Sequence, residues 1–389
     1  MTRVFVTAMA RTPFGKFRGM LSGSDSIDLG AALLNELLRR DGGGQAVDIV
    51  YGGSGLLGGN YLTSLRQMLI RSSLPNDTVS LAVDRACCTG MTAVSAGASH
   101  IKAGSGVKAM IAGVESLSTT PVLMSRGNDR RIASMTATDP LLLSGLISPK
   151  TIAQYTSEEA LKYGVSREMQ DDWAFASHQK YFEGLDLGVH EGQLFAPPHL
   201  ALPDPRDEGP RSNSDRAKLA RLPTVNGSST ITAGNAPGLS DGAAGMVLME
   251  EAAMAADGIE PLCEILDWVQ VAGDIQEGTS VPQRALSRLI RRNDLKLEDI
   301  ALFEINEAFA ATPLVSMRLL AEDLGVDEAA LHSRTNVYGG SVAIGHPLGA
   351  SGVRVVMQAI SVLRQRGGGL ALCAICGGFG QGEAVLIRV

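Results

Sequence analysis

One cysteine stands at a position where a protein can use it as a nucleophile. Cys87 lies in the segment 84–90, which reads DRACCTG, between a predicted buried strand and a helix that opens at Thr89 and Gly90. Unpaired N–H groups and the positive end of the helix dipole at such a junction favour the thiolate, the nucleophilic form of cysteine. The position therefore predicts nucleophilic catalysis by Cys87. The alternative is a small hydrophobic residue of the core.

A histidine in a glycine-rich segment is suited to act as a base. His346 is one of six histidines and lies in the segment 336–352, which reads NVYGGSVAIGHPLGASG. A histidine held in this way can take the proton of a thiol or donate to an oxyanion. The alternative is a structural histidine in a turn. Because the glycines lack both the Walker pattern and the G-x-G-x-x-G pattern, the segment is not a nucleotide-binding loop of either kind.

A second cysteine ends another predicted strand. Cys376 precedes a glycine-rich turn at 377–382, whose backbone N–H groups can bind a developing oxyanion. Cys373 lies inside the strand and is predicted to belong to the core. The C-x-x-C spacing suggests zinc or a redox pair. However, the sequence has no second C-x-x-C or H-x-x-H, and a redox pair normally opens a helix. We therefore predict no metal site here.

Two polar residues, Asn306 and Glu307, follow a strand-like run at 301–305. Polar side chains at the end of a buried strand commonly cap the next helix. The functional alternative is that Asn306 holds a water molecule or a carbonyl oxygen. Both interpretations stay open on the sequence alone.

These residues must be positioned by an α/β fold with buried sheets. Short aliphatic or β-branched runs alternate with small-residue helical stretches, which is the pattern of that class. From Glu115 to about Gly238 the strand signals fade and Ser, Asp, Pro and Arg become frequent, which predicts an inserted subdomain. The predicted strands lie at 2–7, 48–52, 82–85, 109–112, 244–249, 262–271, 301–305 and 370–374, and the predicted helices at 26–38, 91–103, 152–163 and 167–183.

An internal repeat indicates that the chain contains two similar halves. The pair Ser351-Gly352 stands 262 residues after Thr89-Gly90, and each pair opens a predicted helix that is followed by glycines and a strand. Two such halves packed together place their helix N-termini near a shared centre. The sequence therefore predicts a pocket between two cores, where binding sites tend to lie.

The composition bounds the class of protein. A chain of 389 residues can build two or more cores, and 45% hydrophobic with 19% charged residues excludes a disordered chain. A net charge of -7 without a basic aromatic stripe argues against nucleic acid as a partner. No apolar run approaches the ~20 residues of a membrane span. With five cysteines and no secretory signal, we predict a soluble, reduced, cytoplasmic protein.

The ordered set of motifs resembles the thiolase family over essentially the whole chain. Single motifs of this kind are weak, whereas the complete set in order is specific. The segments that carry the resemblance are 10–19, 113–118, 231–236, 240–244, 306–309 (NEAF), 345–347 (GHP) and 376–380 (CGGFG).

The resemblance implies a fold, a reaction and partners. The fold is α/β and thiolase-like, with two duplicated βαβαβαββ halves in an α/β/α/β/α arrangement. These halves are expected at 1–258 and 259–389, with an inserted loop domain that binds CoA at 119–238. The implied reaction is thiolytic cleavage of a 3-oxoacyl-CoA, or the reverse Claisen condensation, by a ping-pong acyl-cysteine mechanism, as in fatty acid β-oxidation. No cofactor beyond CoA is implied. The implied binding partners are CoA and acyl-CoA, with an optional accessory subunit. The chain itself is expected to form a homodimer or homotetramer.

The resemblance also implies roles for individual residues. Cys87 would be the acylated nucleophile, His346 would take its proton, and Cys376 would be the second acid/base. A water molecule on Asn306 would join His346 in one oxyanion site. The backbone N–H groups of Cys87 and Gly378 would form the other. The implied CoA contacts are Arg211, Leu219, Val225, Ala236, Pro237 and Gly238.

Departures from the family pattern fall on the CoA and acyl pockets rather than on the catalytic set. Pro237 replaces a serine, Val225 replaces a phenylalanine, and Cys88 replaces a smaller residue. The segment 277–282 replaces an apolar Met-Gly segment. Its Glu277 must face solvent, pair with a cation or meet a polar part of the substrate. We therefore predict an unusual acyl group that is branched, aromatic or carboxyl-bearing.

Two alternative functions share this fold. A decarboxylating ketoacyl synthase uses a Cys-His-His or Cys-His-Asn set, and the second thiol of Cys376 weighs against it. A non-catalytic acyl-CoA or lipid-binding protein should have lost one of Cys87, His346 or Cys376, and all three are present.

Overall fold

The computed structural model describes residues 2–56, 62–126, 135–142, 148–202 and 204–389. Part of the predicted insertion at 119–238 therefore lies outside the described residues. Within the described ranges, no helix has both the length and the hydropathy that crossing a bilayer requires.

The first part of the chain alternates strands and helices as expected for an α/β fold. Its elements are β1 (Val4–Arg11), β2 (Gly15–Lys16), α1 (Ser26–Asp41), β3 (Ile49–Gly53), α2 (Ser64–Arg71), β4 (Val79–Ala82), α3 (Thr89–Lys102) and β5 (Lys108–Ser116). There follow β6 (Leu123–Arg126), β7 (Met135–Thr138), α4 (Ile152–Lys162), α5 (Arg167–Asp186), α6 (Arg216–Ala220), β8 (Ser240–Glu250) and α7 (Glu251–Ala256).

The second part repeats this alternation. Its elements are β9 (Cys263–Ala272), α8 (Val281–Arg292), β10 (Ile300–Ile305), α9 (Ala311–Leu324), α10 (Glu328–His332), α11 (Ser341–Ile344), α12 (Leu348–Arg366), β11 (Leu370–Gly377) and β12 (Gln381–Arg388). The helix predicted to open at Ser351 begins three residues earlier, at Leu348. Pro347 directly before it is extended and forms the N-cap of the helix.

The strand order shows the duplication directly. The main sheet runs β10-β11-β12-β9-β1-β8-β5-β3-β4, and its two half-sheets join where β1 pairs with β9. Read outward from that junction, β1-β8-β5-β3 matches β9-β12-β11-β10. The counterpart of β4 is a single parallel bridge between Thr335 and Phe303. Each half therefore leads from the same edge position into one of the two catalytic segments predicted from the sequence.

Alternate side chains of the strands build three cores and five layers. Side chains on one face of both half-sheets pack on α3 and α12, which form the central layer. The opposite face of the first half-sheet packs on α1 and α2, and that of the second half-sheet packs on α8 and α9. This is the α/β/α/β/α arrangement that the resemblance implies.

The two central helices meet backbone to backbone at paired glycines. A Cβ atom on Gly90 of α3 would lie 2.5 Å from the carbonyl oxygen of Gly349, and one on Gly352 of α12 would lie 2.4 Å from the amide nitrogen of Met91. Any larger residue would push the helices apart. The glycines thus bring the N-termini of α3 and α12 together, which places the segments before them side by side.

The strand that precedes Cys87 differs from the prediction. It was expected to be buried, but among the described strands β4 pairs with β3 alone and forms the edge of the sheet. Val79 and Leu81 on β4 are 57% and 53% exposed. The apolar sequence of this strand is therefore not explained by burial within the chain.

Candidate active site

The two predicted catalytic segments meet at a cysteine–histidine pair. The Sγ atom of Cys87 lies 3.2 Å from Nε2 of His346, although the residues are 259 positions apart in the sequence. Ala86 adopts a left-handed φ of 47° directly before Cys87, which is a costly conformation for a residue with a Cβ atom. This turn and the short 3-10 helix Ala86–Cys88 present the thiol at the N-terminus of α3.

Ser351 fixes the tautomer of His346. Its hydroxyl lies 2.6 Å from Nδ1 of His346 and donates to the carbonyl oxygen of Pro347 at 2.8 Å. Because the hydroxyl proton is used in that bond, the Ser351 oxygen accepts from Nδ1–H. Nε2 therefore carries the lone pair that faces the thiol. The sequence indicated Ser351 only as a helix opener, so this role was missed.

Burial keeps both partners of the pair neutral. Burial lowers the pKa of His346 to about 3, with a further contribution from the nearby Arg354 guanidinium. Burial also raises the pKa of Cys87, and the neighbouring Cys376 and Glu115 act in the same direction. Burial therefore opposes the thiolate form that the helix N-terminus favours at Cys87. The geometry instead suits transfer of the thiol proton to His346 as the nucleophile attacks.

Cys376 lies beside this pair at the end of β11. Cys87, Cys376 and Gly378 line one apolar cavity of about 70 Å³. Burial raises the pKa of Cys376 to about 12, so the group is held as a thiol and can donate a proton. The structure thus brings together the two cysteines that the sequence singled out.

The turn after Cys376 packs against the loop of the nucleophile. A Cβ atom on Gly378 would lie 3.9 Å from Cβ of Ala86, and one on Gly377 would lie 3.0 Å from Sγ of Cys88. Cys88 itself is fully buried behind the site. The turn at Gly378 therefore lies next to Ala86, the residue before Cys87. The oxyanion role of these two backbone N–H groups stays a prediction.

Asn306 has an amide group available for binding. Its Oδ1 accepts from the hydroxyl of Ser341 at 2.8 Å and from the guanidinium of Arg354 at 3.3 Å. Its Nδ2 is buried and has no hydrogen-bond partner among the described residues. The next helix, α9, has no side-chain cap, so the capping interpretation of Asn306 is wrong. The oriented Nδ2 is suited to hold a water molecule or a carbonyl oxygen.

Two buried carboxylates that the sequence did not reveal tie the site together. Glu115 accepts from the N–H groups of Gly55 and Gly349, at 2.7 and 3.0 Å, and burial raises its pKa to about 7. Glu383 of β12 accepts from Arg85 at 2.7 Å, which anchors the nucleophile loop to the second half. These partners are far apart in sequence and carry no local motif, so no signal in the sequence could identify them.

Two of the six implied CoA contacts lie on one open cavity. Arg211 and Gly238 line a cavity of about 370 Å³ together with Ser240 and Gly345, which directly precedes His346. Leu219, Val225, Ala236 and Pro237 are not among the residues that line it. Leu219 is buried in α6. The structure therefore groups Arg211 and Gly238 near the catalytic pair and leaves the other four outside that cavity.

Glu277 has a partner within the chain. Its carboxylate lies 2.6 Å from the guanidinium of Arg284. Of the three alternatives for Glu277, pairing with a cation is the one observed. The neighbouring Ile275 and Gly278, rather than Glu277, line the catalytic cavity.

Potential metal ligands do not cluster in the part of the chain that the structure describes. No group of three or more His, Cys, Asp or Glu side chains there could hold a metal ion. The five cysteines are free.

The chain is similar to known thiolases along its whole length. The family models “Thiolase, N-terminal domain” and “Thiolase, C-terminal domain” match residues 4–252 and 259–389. An acetyl-CoA acetyltransferase of Escherichia coli (strain K12) is 32% identical over 400 residues, covering 100% of this chain and 99% of the relative. A beta-ketoadipyl-CoA thiolase of Acinetobacter baylyi is 31% identical over 408 residues, covering 100% of both. The crystal structure of human mitochondrial 3-ketoacyl-CoA thiolase in complex with CoA has a TM-score of 0.90 at 30% identity, covering 100% of this chain and 98% of that one.

Proposed function

The chain belongs to the thiolase family and is therefore an acyltransferase with CoA-dependent thiolase chemistry, and we propose that it cleaves a 3-oxoacyl-CoA into a shortened acyl-CoA and acetyl-CoA. The reverse Claisen condensation uses the same site. The observation that carries the proposal is the 3.2 Å contact between Cys87 and His346, with Cys376 in the same cavity.

The first half-reaction forms an acyl-enzyme. Sγ of Cys87 attacks the 3-keto carbonyl carbon of the substrate while Nε2 of His346 takes the thiol proton. The bond between C2 and C3 then breaks, and its electron pair goes to C2 as the enolate of acetyl-CoA. The thiol of Cys376 gives its proton to C2. Acetyl-CoA leaves, and the remaining acyl group stays on Cys87 as a thioester.

The second half-reaction returns every group to its starting state. The thiolate of Cys376 takes the proton of an incoming CoA thiol, and the CoA sulfur attacks the acyl carbon. Protonated His346 gives its proton back to Cys87 as the acyl group leaves. Protons balance over the cycle without a group beyond the two cysteines, the histidine and CoA.

Charge develops at two different oxygens in this sequence of steps. The N–H groups of Cys87 and Gly378 are proposed to serve the tetrahedral oxyanion, and the packing of the Gly378 turn against Ala86, the residue before Cys87, supports this. His346 and a water molecule on Nδ2 of Asn306 serve the thioester enolate. A donor of this kind is typically worth about 3 kcal/mol in the transition state.

The CoA portion of the substrate is proposed to lie in the cavity next to Gly345. Arg211 can pair with a phosphate, and Gly238 leaves space for the pantetheine chain. The proposed organisation has halves that meet between residues 258 and 259, with 119–238 as the CoA-binding insertion. The acyl group is proposed to be branched, aromatic or carboxyl-bearing. The name of the beta-ketoadipyl-CoA thiolase relative supports a substituted chain.

We propose a cytoplasmic setting and a degradative role in fatty acid metabolism, as in β-oxidation. Cys87 and Cys376 must both stay reduced for the reaction, which a reducing compartment ensures. Thiolysis is normally downhill, so cleavage is the default direction.

The purified chain is expected to consume a 3-oxoacyl-CoA when free CoA is added. Loss of the enolate absorbance of acetoacetyl-CoA or a longer 3-oxoacyl-CoA, with acetyl-CoA formed and no carbon dioxide released, is the expected result. Release of carbon dioxide when malonyl-CoA and an acyl-CoA are supplied instead would indicate a decarboxylating synthase. No change with straight, branched, aromatic and carboxyl-bearing substrates would indicate a binding protein and overturn the proposal.

We propose a homodimer, or a homotetramer of two dimers, joined through the exposed edge of β4. An apolar edge strand with Val79 and Leu81 exposed is a surface on which a second chain can pair. Sedimentation at micromolar concentration is expected to show a dimer or tetramer, and Leu81→Lys is expected to shift it toward the monomer. A wild-type monomer with full activity would contradict the proposed assembly. Activity of the purified chain without added proteins would show that an accessory subunit is not required.

A further inference from the structure

We infer that the acyl cavity takes an acyl chain that ends in a carboxylate, and that Lys150 recognises this carboxylate. The inference deepens the proposed function and rests on it. It narrows the acyl group from a branched, aromatic or carboxyl-bearing one to the last of these.

The cavity beyond Cys87 is apolar along most of its wall. Four different parts of the fold contribute, namely the start of α4, the loop before α8, the start of α9 and the turn after β11. Its aliphatic and aromatic lining consists of Ile152, Tyr155, Ile275, Ala308, Phe309 and Phe379. The first part of an acyl chain attached to Cys87 therefore contacts apolar side chains.

Lys150 differs in kind from these neighbours. Among the described residues that line the cavity, it is the one with a charged side chain. The side chain is 42% exposed, and its Nζ lies 5.7 Å from the centre of the Tyr155 ring. The cation thus stands at the rim, over an aromatic wall residue. This arrangement suits an acyl chain whose methylene groups contact the apolar wall and whose anionic end reaches Lys150.

The backbone that carries Lys150 is held in place. Thr151 and Gln154 form a reciprocal capping box at the N-terminus of α4. The adjacent Glu159 is buried, and it accepts from the backbone N–H of Thr279 at 2.7 Å and that of Ser280 at 3.2 Å. These bonds fix α4 against the loop that forms the opposite wall. The position of Lys150 relative to the cavity is therefore set by the fold.

The present partner of Lys150 can be exchanged for a substrate. Its Nζ lies 2.7 Å from Oε2 of Glu158, whose side chain is 52% exposed. An exposed pair of this kind contributes little to stability, because water screens it and both side chains lose freedom. A carboxylate tethered to the acyl-enzyme has a high effective concentration at Lys150 and can displace Glu158. Glu158 then acts as a competitor that weakens the preference.

The test compares two substrates that differ only at the end of the chain. 3-Oxoadipyl-CoA and 3-oxohexanoyl-CoA have acyl chains of equal length, one ending in a carboxylate and the other in a methyl group. The measured quantity is the ratio of their kcat/KM values. We expect the wild type to favour 3-oxoadipyl-CoA, Lys150→Met to lower the ratio about tenfold, and Glu158→Gln to raise it several-fold.

A matched control is available at the other end of α4. Lys162 at the end of α4 lies over the ring of Tyr163, outside the cavity lining. Lys162→Met removes the same charge and is expected to leave the ratio unchanged. Opposite shifts for Lys150→Met and Glu158→Gln are not expected from a general disturbance of α4, which would change both substrates together.

The outcomes separate this inference from the proposed function. A wild type that prefers 3-oxohexanoyl-CoA, or a Lys150→Met variant with an unchanged ratio, overturns the role of Lys150 while either turnover still supports a thiolase. Equal loss with both substrates in Lys150→Met also overturns it. No cleavage of any 3-oxoacyl-CoA by the wild type overturns the proposed function instead.

Discussion

Replacement of Cys87 by alanine is expected to abolish the acyl-enzyme and to lower kcat/KM for thiolysis by about 10⁴-fold or more. The reason is that the covalent intermediate needs a sulfur at 3.2 Å from the base His346. Cys87→Ser is expected to fail similarly, because neutral His346 is a weak base toward a hydroxyl group. Intact-mass measurement after mixing with acyl-CoA should show the acyl adduct in the wild type and not in either variant.

Cys88 supplies the control for this prediction. It is the adjacent residue, but it is fully buried and its Sγ is directed to the carbonyl oxygen of Ile375 at 3.8 Å. Cys88→Ala is therefore expected to keep the adduct. Peptide mapping that locates the acyl group on Cys88 would show that the assignment of the nucleophile is wrong.

Replacement of Cys376 by alanine is expected to separate the two half-reactions. The variant still has Cys87 and His346, so it should be acylated by an acyl-CoA thioester. It lacks the thiol that moves a proton at C2, so exchange of the α-protons of acetyl-CoA with deuterium should fall by about 10²–10⁴-fold. Intact mass reads the acylation, and deuterium incorporation reads the exchange.

The matched control lies three residues earlier on the same strand. Cys373 is also buried in β11, but it packs in the central core rather than lining the catalytic cavity. Cys373→Ala is expected to lower the melting temperature while exchange continues. If Cys376→Ala exchanges at the wild-type rate, another group is the acid/base and the proposed proton path is wrong.

The sequence was sufficient to single out the three side chains that the structure brings together at the candidate active site. Each of them stands at a strand end or helix start with glycines beside it, namely Cys87, His346 and Cys376. Such local patterns are visible in the sequence. The repeat between Thr89 and Ser351 also predicted that two helix starts would meet. The fold then confirmed that meeting at Gly90 and Gly352.

The groups that orient the reacting residues were not predictable in this way. The contact between Arg85 and Glu383 joins residues 298 positions apart, and the contact between Glu115 and Gly349 joins residues 234 positions apart. The opposing effect of burial on the Cys87 thiol was not predictable either, because the helix start is visible in the sequence whereas the depth of burial is not. Edge position is likewise a property of the whole sheet, which is why β4 was wrongly expected to be buried.

Cys87 and His346 belong to different halves of the chain, which has a consequence for how the site forms during folding. During synthesis Cys87 leaves the ribosome 259 residues before its base, so the thiol has no activating partner until the second half has folded onto α3. The contact between Cys87 and His346 therefore forms only when both halves have folded. A truncated molecule that cannot form the contact at Gly352 has no histidine beside Cys87, so it lacks the base that the proposed reaction requires.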